Sequence, residues 1–354
     1  MSEDQAGAGS AYAQAGVDID QMADGLKSAA KMMRRTRTPG VRGDLGAFGG
    51  LFAAPGAGKL LVASTDGVGT KLNVAVRAGR HDTVGQDLVN HCVNDILVQG
   101  AKPLFFLDYV GTAQLEGAVF QQIMRGLCQA CRENRCALLG GETAEMPGLY
   151  PAGEYDLVGT IVGVVDEKRV VTGRDIRPGD IAIGLPSSGL HTNGYSLARK
   201  VCFDQAGLDL DDRVPGMEKT VAQALLAVHR SYLRPVRKVL KKVIVRGMAH
   251  ITGGGLRDNL PRILPPNINV AIDGRAWTPP PLFRFLQETG GIAPREMYRV
   301  FNMGIGFVLI VRPKDVERTL AILKRAGSRP ILLGYATEGH GKAMLRDAGT
   351  TGLS

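Results

Sequence analysis

A chain of 354 residues, 44% apolar and 22% charged, has the composition of a globular protein of about two domains, which excludes a disordered chain. Lys and Arg number 43 against 34 Asp and Glu, so the net charge is +9, which suits anionic partners such as phosphorylated small molecules. Aromatic residues make up only 5%, no zinc-finger or RNA-recognition pattern occurs, and no stretch approaches the roughly 18 apolar residues of a membrane span, so neither nucleic acid nor membrane is an expected partner.

The five cysteines predict a protein of a reducing compartment. An odd number of cysteines and an N-terminus without a signal-peptide pattern are typical of a cytoplasmic protein. Cys128, Cys131 and Cys136 have the spacing C-x2-C-x4-C, but no second close pair supplies a fourth ligand. We therefore expect these thiols to pack in a core and not to hold zinc.

The first half of the chain alternates strand and helix patterns. The strand Leu60–Ser64 leads into a loop, Thr65–Lys71. The strand Tyr155–Val165 has so little polarity that we expect both of its faces to be covered, by this chain or at an interface. The other elements predicted here are helices Leu72–Ala78, Asp82–Gln99 and Glu116–Asn134, and strands Leu104–Val110 and Cys136–Leu139.

A polar stretch, Asp166–Asp180, is expected to contain the domain boundary, which we place so that the domains are 1–172 and 173–354. After it, strand and helix patterns resume, so the sequence predicts an α/β fold with mixed sheets in both halves. The strands predicted here are Ile181–Leu185, Arg246–Ile251, Val270–Ile272, Gly306–Val311 and Ile331–Tyr335, and the helices are Lys219–His229, Pro235–Lys242, Lys314–Ala326 and one beginning at Tyr195.

The segment STDGVGTK, Ser64–Lys71, combines groups that a metal–phosphate site needs. Asp66 offers a hard oxygen to Mg²⁺, Gly67 and Gly69 allow backbone amides to approach an anion, and Lys71 offers a point charge. The spacing is not that of a P-loop. A phosphate-binding loop and a plain turn remain alternatives.

Two further segments carry acids. Asp87, His91, Asn94 and Asp95 share one face of the helix Asp82–Gln99, which is either a solvated face or part of a Mg²⁺–phosphate site. In LLGGETAEMPG, Glu142 and Glu145 stand on a predicted Gly-rich turn. They are either solvated acids or metal ligands.

Two Gly-rich loops in the second half could bind a phosphate through backbone amides. They are SSGLHTNGYS, Ser187–Ser196, and HITGGG, His250–Gly255. His191 and His250 lie in these loops, and each is either a structural histidine or an acid–base group. The substrate-binding candidates are Ser187, Ser188, Gly189, Asn193, Gly253, Gly254 and Gly255.

Taken together, these segments closely resemble the phosphoribosylformylglycinamidine cyclo-ligases, also called aminoimidazole ribonucleotide synthetases. The resemblance runs from about Tyr12 to about Gly334 and includes EMYRVFNMGIGF, Glu296–Phe307. It implies a two-domain homodimer that pairs its N-terminal sheets. It also implies ATP- and Mg²⁺-dependent conversion of formylglycinamidine ribonucleotide to aminoimidazole ribonucleotide, ADP and phosphate. Another ATP-using phosphotransferase of the same superfamily is the alternative.

The resemblance also implies roles for particular residues. The metal ligands would be Asp66, Asp95 and Glu142, and the nucleotide contacts would be Asp66, Gly67, Val68, Gly69, Thr70 and Lys71. Lys71, His191 and His250 are the catalytic candidates, and the Gly-rich N-terminal segment would fold over the nucleotide. Two features depart from the family pattern. His91 stands where an apolar or small residue is expected, and the stretch after GVDID leaves Lys27 and Lys31 equally open as the expected lysine.

Overall fold

The computed structural model describes residues 29–39, 41–42, 51–52 and 58–346. Most of the N-terminal segment expected to cover the nucleotide lies outside these residues, as does Lys27, whereas Lys31 is exposed. Within the described part of the chain, no helix combines the length and the apolarity needed to cross a membrane.

The N-terminal half forms a four-stranded sheet in the order β3-β6-β4-β5. Strands β4 and β5 are parallel, and the other two pairs are antiparallel. A separate pair of two-residue strands, β1 and β2, precedes it. The strands are β1 (Val41–Arg42), β2 (Leu51–Phe52), β3 (Lys59–Gly67), β4 (Lys102–Thr112), β5 (Ala137–Glu145) and β6 (Tyr155–Asp166).

The described part of this half includes a helical stretch at 29–34 and the helices α1 (Lys71–Arg77), α2 (Asp82–Leu97) and α3 (Gly117–Asn134). Helices α2 and α3 pack closely because each carries a glycine at the contact. A Cβ on Gly85 would lie 2.5 Å from the carbonyl oxygen of Ile123, and one on Gly126 would lie 2.1 Å from that of Asp82. Since α2 also packs on the sheet, Phe106 and Ile161 are fully buried beneath the helices.

The other face of the sheet is left open by the part of the chain that the structure describes. Along β6, buried positions alternate with half-buried ones, and the half-buried ones include Val158, Val162 and Val164. Leu61, which pairs with Val164, is 58% exposed. The strand predicted at Tyr155–Val165 is therefore confirmed, whereas the described residues cover only one of its faces.

The C-terminal half forms a six-stranded sheet in the order β12-β9-β11-β7-β10-β8. Every residue of the inner strand β10 is buried, as expected of a strand with helices on both sides. The strands are β7 (Ile181–Pro186), β8 (Val245–His250), β9 (Ile268–Asp273), β10 (Ile305–Val311), β11 (Ile331–Glu338) and β12 (Ala343–Arg346). The helices are α4 (Tyr195–Arg199), α5 (Val221–Leu225), α6 (Leu233–Leu240), α7 (Gly255–Asn259), α8 (Pro281–Gly290), α9 (Pro294–Val300) and α10 (Val316–Arg325).

The predicted α/β class with mixed sheets in both halves is confirmed. Several bounds differ: β3 continues through Gly67, β5 continues through Glu145, and the helix predicted at Lys219–His229 is only Val221–Leu225. Ladder pairing with neighbouring strands accounts for both extensions, because it outweighs the turn preference of glycine. The domain boundary at 172/173 stays a prediction.

Candidate functional site

The polar face of α2 lies against the C-terminal half and is not solvated. Asn94 donates to the carbonyl of Arg230 at 2.8 Å and accepts from the backbone amide of Tyr232 at 2.9 Å. One turn earlier, Asn90 donates to the carbonyl of His229 at 2.7 Å. Both asparagines are buried, so this face of α2 holds the two domains together through backbone groups of 229–232, which we call the docking segment.

Lys71 and Asp87 form an ion pair inside the same joint. Their charged atoms are 2.7 Å apart, and both side chains are fully buried. The Lys71 ammonium also donates to the carbonyls of Ala227 (2.8 Å) and His191 (3.3 Å), while Asp87 accepts from the amide of His229 at 2.6 Å. The Lys71 ammonium thus bonds to three groups of the protein itself. This position does not favour its expected role as a phosphate contact.

Asp66, at the end of β3, and Asp95, on α2, come together across a pair of histidines. His91 Nε2 lies 2.7 Å from Asp66 Oδ2 and 3.6 Å from Asp95 Oδ2. His250 Nδ1 lies 2.8 Å from Asp95 Oδ1. The imidazoles are 4% and 3% exposed, whereas the Asp66 and Asp95 side chains are 42% and 26% exposed. The carboxylates are therefore accessible to solvent and the imidazoles are not. Both acids lie beside His91, and their convergence on a metal ion stays a prediction.

These contacts set the charges at the site. Burial raises the pKa of Asp66 and of Asp95, but hydrogen bonds from His91 and His250 outweigh it, so both pKa values lie below the usual range. Burial lowers the pKa of His91, but the bond to Asp66 and the nearby Asp95 outweigh it and hold this pKa above its usual value. For His250, burial prevails over the Asp95 contact, and its pKa is lowered.

Two more histidines extend the cluster into the core. His229 Nε2 lies 3.0 Å from His250 Nε2, and the His191 ring stacks on the His229 ring with centroids 3.9 Å apart. Thr192 Oγ1 contacts His91 Nδ1 at 2.7 Å and His229 Nδ1 at 3.4 Å. Burial lowers the pKa of both His191 and His229 well below the usual range, so these two imidazoles are neutral.

Glu142 does not join Asp66 and Asp95 within one chain. The strand register aligns Asp66 with Gly159, Asp108 and Gly141, whereas Glu142 stands in the adjacent row. Three strand spacings of about 4.8 Å separate Asp66 from Glu142 by about 14 Å. Side chains of adjacent rows also point to opposite faces of a sheet. The expected third metal ligand is therefore set apart by strand pairing, which continues through the segment predicted as a turn.

Only part of the loop after Asp66 offers free amides. The amide of Gly67 donates to Asp66 Oδ1 at 2.7 Å, and that of Val68 donates to the carbonyl of Leu157 at 3.2 Å. Gly69 has a φ of 69°, a conformation that favours glycine, and both Gly69 and Thr70 are exposed. Within the expected set of nucleotide contacts, Gly69 and Thr70 are the positions open to a phosphate.

The two loops of the C-terminal half also meet. A Cβ on Gly253 would lie 3.2 Å from Asn193 Oδ1, and the buried Asn193 Nδ2 has no hydrogen-bond partner among the described residues. Gly254 and Gly255 have φ angles of 95° and 59°. Ser187 is occupied by Asn302 and the carbonyl of Gly189, and Ser188 by the carbonyl of Val228.

Beside Gly253 and Gly254 lies a cleft of about 840 Å³. Its cationic lining consists of Arg257, Arg262, Arg295 and Arg299. Asp258 and Glu296 also line it, and Asp258 lies 3.8 Å from Arg299. The arginine excess and the unpaired Asn193 amide suit an anionic ligand.

Sequence reasoning missed the contribution of His91 and His229. The sequence did contain a feature that points to His91 as a site residue, because His91 shares the polar face of α2 with Asp95. Its position in the family pattern, however, suggested no role. No feature of the sequence points to His229, because only the folded interface between the domains brings it next to His250. The expected packing role of Cys128 and Cys131 agrees with their burial, and among the described residues no group of three or more possible metal ligands contains a cysteine.

The two sheet domains belong to the AIR synthase-related class of protein. The sequence profiles described as "AIR synthase related protein" match residues 48–165 for the N-terminal domain and 177–346 for the C-terminal domain. The chain belongs to the phosphoribosylformylglycinamidine cyclo-ligase family. A relative of that name from Paraburkholderia phymatum is 50% identical over 92% of each chain, and one from Myxococcus xanthus is 48% identical over 95% of this chain and 98% of its own.

Solved structures of lower identity share the fold. A thiamine-monophosphate kinase from Stenotrophomonas maltophilia superposes with a TM-score of 0.68 at 16% identity, covering 90% of this chain and 96% of its own. The hydrogenase maturation protein HypE in complex with ATP gives 0.65 at 18% identity, covering 89% and 88%. At such identities the likeness concerns architecture alone.

Proposed function

We propose that this chain catalyses the ATP-dependent closure of formylglycinamidine ribonucleotide to 5-aminoimidazole ribonucleotide, with release of ADP and phosphate. The observation that carries the proposal is the identity of 48–50%, over more than nine-tenths of the chain, to relatives named for that reaction. No comparable observation favours another phosphotransferase of the superfamily, because those neighbours are only 16–18% identical.

The chemistry of this ring closure fits the groups at the interface between the two domains. An amide carbon is a poor electrophile, so the γ-phosphoryl group of ATP is transferred to the formyl oxygen and ADP leaves. The amidine nitrogen then attacks the same carbon, the C–O bond breaks, and the oxygen departs with phosphate. Phosphoryl transfer depends on positioning and charge neutralisation and needs no covalent nucleophile.

Asp66 and Asp95 are the proposed ligands of the divalent ion, Mg²⁺ by resemblance, which would neutralise phosphate charge when bound. Two ionised, partly exposed carboxylates at one point support this assignment. Gly69 and Thr70 are the proposed amide contacts of the nucleotide. His250, held against Asp95, is proposed to position that carboxylate, and Lys71 is proposed to position the domains.

The substrate phosphate is proposed to lie in the arginine-lined cleft. The exposed backbone of Gly253 lines this cleft with Asn193 next to it, and the arginines can neutralise a dianion. Ser187, Ser188 and Gly189 are proposed to shape the neighbouring loop through their own hydrogen bonds. His191 keeps its place as a candidate acid–base group, with one ring nitrogen unpartnered among the described residues.

We further propose a homodimer through the open face of the N-terminal sheet, in a reducing compartment. Leu61 and the half-buried valines of β6 supply an apolar surface that water would otherwise cover. The five cysteines are all unpaired thiols, which supports a reducing environment.

Substrate labelled with ¹⁸O in the formyl group tests the reaction. We expect one labelled oxygen per turnover in inorganic phosphate and formation of the aminoimidazole, whereas label released to water would contradict the proposal. Asp95→Asn should lower kcat by roughly 100-fold or more, because a charge-stabilising group is lost. The matched control is Asp211→Asn, an exposed aspartate that belongs to none of the clusters described above, which should retain full activity.

A further inference from the structure

Two imidazoles accompany the two carboxylates at the proposed metal position, and this set differs from what Mg²⁺ selects. We propose that Asp66, His91, Asp95 and His250 form a site for a first-row transition-metal ion such as Mn²⁺, Co²⁺ or Zn²⁺, in preference to Mg²⁺. The inference rests on the proposed function for the role of the site and adds the class of metal.

The donor atoms are close enough to share one ion. Ligand atoms of His91, Asp95 and His250 all lie within 4.8 Å of one another. Asp66 stands outside this trio, with its Oδ2 2.7 Å from His91 Nε2, and would have to turn toward the trio to join it. Donors that are each about 2.1 Å from a metal lie at most about 4.2 Å apart, so only small side-chain movements are needed. The proton that His91 Nε2 now donates would be released to make way for the ion, and on His250 the single ring proton would lie on Nε2 and not on Nδ1.

The second nitrogen of each ring is held in the way that metal-bound histidines require. His91 Nδ1 bonds to Thr192 Oγ1 at 2.7 Å, and His250 Nε2 bonds to His229 Nε2 at 3.0 Å. Such outer contacts fix the tautomer and aim the remaining nitrogen at the ion. Here they aim His91 Nε2 and His250 Nδ1 at one carboxylate, that of Asp95.

The donor chemistry decides between metals. Mg²⁺ prefers oxygen ligands in an octahedron and keeps its waters, whereas imidazole favours transition ions. An ion can enter from the carboxylate side, since both rings are almost wholly buried and both carboxylates are partly exposed. His191, His229 and His250 form a second trio of similar spacing. Its stacked rings, 17° from parallel, direct their in-plane lone pairs side by side and not toward one point.

The test is equilibrium metal binding to the full chain, stripped with a chelator and free of nucleotide. Co²⁺ added to the protein should bind as one ion per chain and give the visible absorption spectrum of nitrogen and oxygen ligation. An excess of Mg²⁺ of about tenfold should not displace it. His91→Leu keeps both carboxylates and should weaken Co²⁺ binding by at least about tenfold. Thr192→Val keeps all four ligands and should weaken it less.

His340→Ala is the matched control, because this histidine is exposed and lies outside both clusters. Circular dichroism and melting temperature verify folding, and His91→Gln replaces the leucine variant if that protein does not fold. Equal competition by Mg²⁺, or undiminished Co²⁺ binding by a folded His91 variant, would overturn the inference. Ring closure with Mg²⁺ but no Co²⁺ binding refutes this inference alone, whereas Co²⁺ binding without ring closure refutes the proposed function alone.

Discussion

At the scale of single residues, the Lys71–Asp87 pair tests two interpretations of one lysine. Replacing Lys71 by Met leaves the Asp87 carboxylate buried without a cation, which should lower the free energy of unfolding by about 3–5 kcal/mol. The double variant Lys71→Met/Asp87→Leu should recover most of that loss. Urea unfolding measures both, and a stable single variant with weakened ATP binding would instead support the phosphate-contact role first expected from the sequence.

Asp108 gives the chain a pH-dependent stability. It lies 7% exposed on the helix-covered face of the sheet, and burial raises its pKa to about 7. Because the folded pKa exceeds the unfolded one, the folded state binds the proton more tightly. The stabilisation is complete below the unfolded pKa of 3.8 and is lost as the pH rises toward 7.

Asp108→Asn should remove that dependence. Relative to the variant, the parent chain should lose on the order of 3 kcal/mol between about pH 5 and about pH 8. Urea unfolding at the two pH values measures the difference. Asp175→Asn, at an exposed position, is the control, and equal pH slopes for parent chain and Asp108→Asn would refute this account.

At the scale of elements, α2 acts as the joint between domains. Asn94→Ala would leave the buried Tyr232 amide without its partner and would remove the Asn94 contact of the Arg230 carbonyl, at a cost of about 1–3 kcal/mol. Activity should fall as well, because Asp95 and His91 are carried on the same helix. Thermal and urea unfolding measure the stability, and the exposed Asn73→Ala on α1 is the control. Equal stability of the two variants would show that α2 does not hold the domains.

The elements also show what the sequence could predict. The apolar periodicity of α3 and β6 was sufficient to place them, because burial follows that periodicity. The proximity of Asp66 and Asp95 to each other could be predicted from family motifs. The position of Glu142 could not, because ladder pairing of β5 overrides its local glycines, and the position of His229 depends on a contact with a residue 21 positions away.

At the scale of the whole molecule, the open sheet face is the surface through which the proposed dimer would form. Light scattering should report a dimer for the parent chain, and Val162→Glu should make it monomeric, because a carboxylate would be buried at the interface. The control is Ile244→Glu, since Ile244 is 65% exposed on the other domain. A parent chain that is monomeric and fully active at micromolar concentration would exclude the dimer.

The docking segment contributes mainly its backbone to the joint: α2 binds the carbonyls of His229 and Arg230 and the amides of His229 and Tyr232. Other side chains at 229 and 231 would leave those four bonds in place and would lose side-chain contacts such as those of His229 with Asn94 and His250 and of Ser231 with Asn134. The imidazole of His229 therefore adds to a backbone contact that does not depend on it. Recognition through main-chain atoms thus separates the docking of the domains from the chemistry of the side chains beside the candidate site.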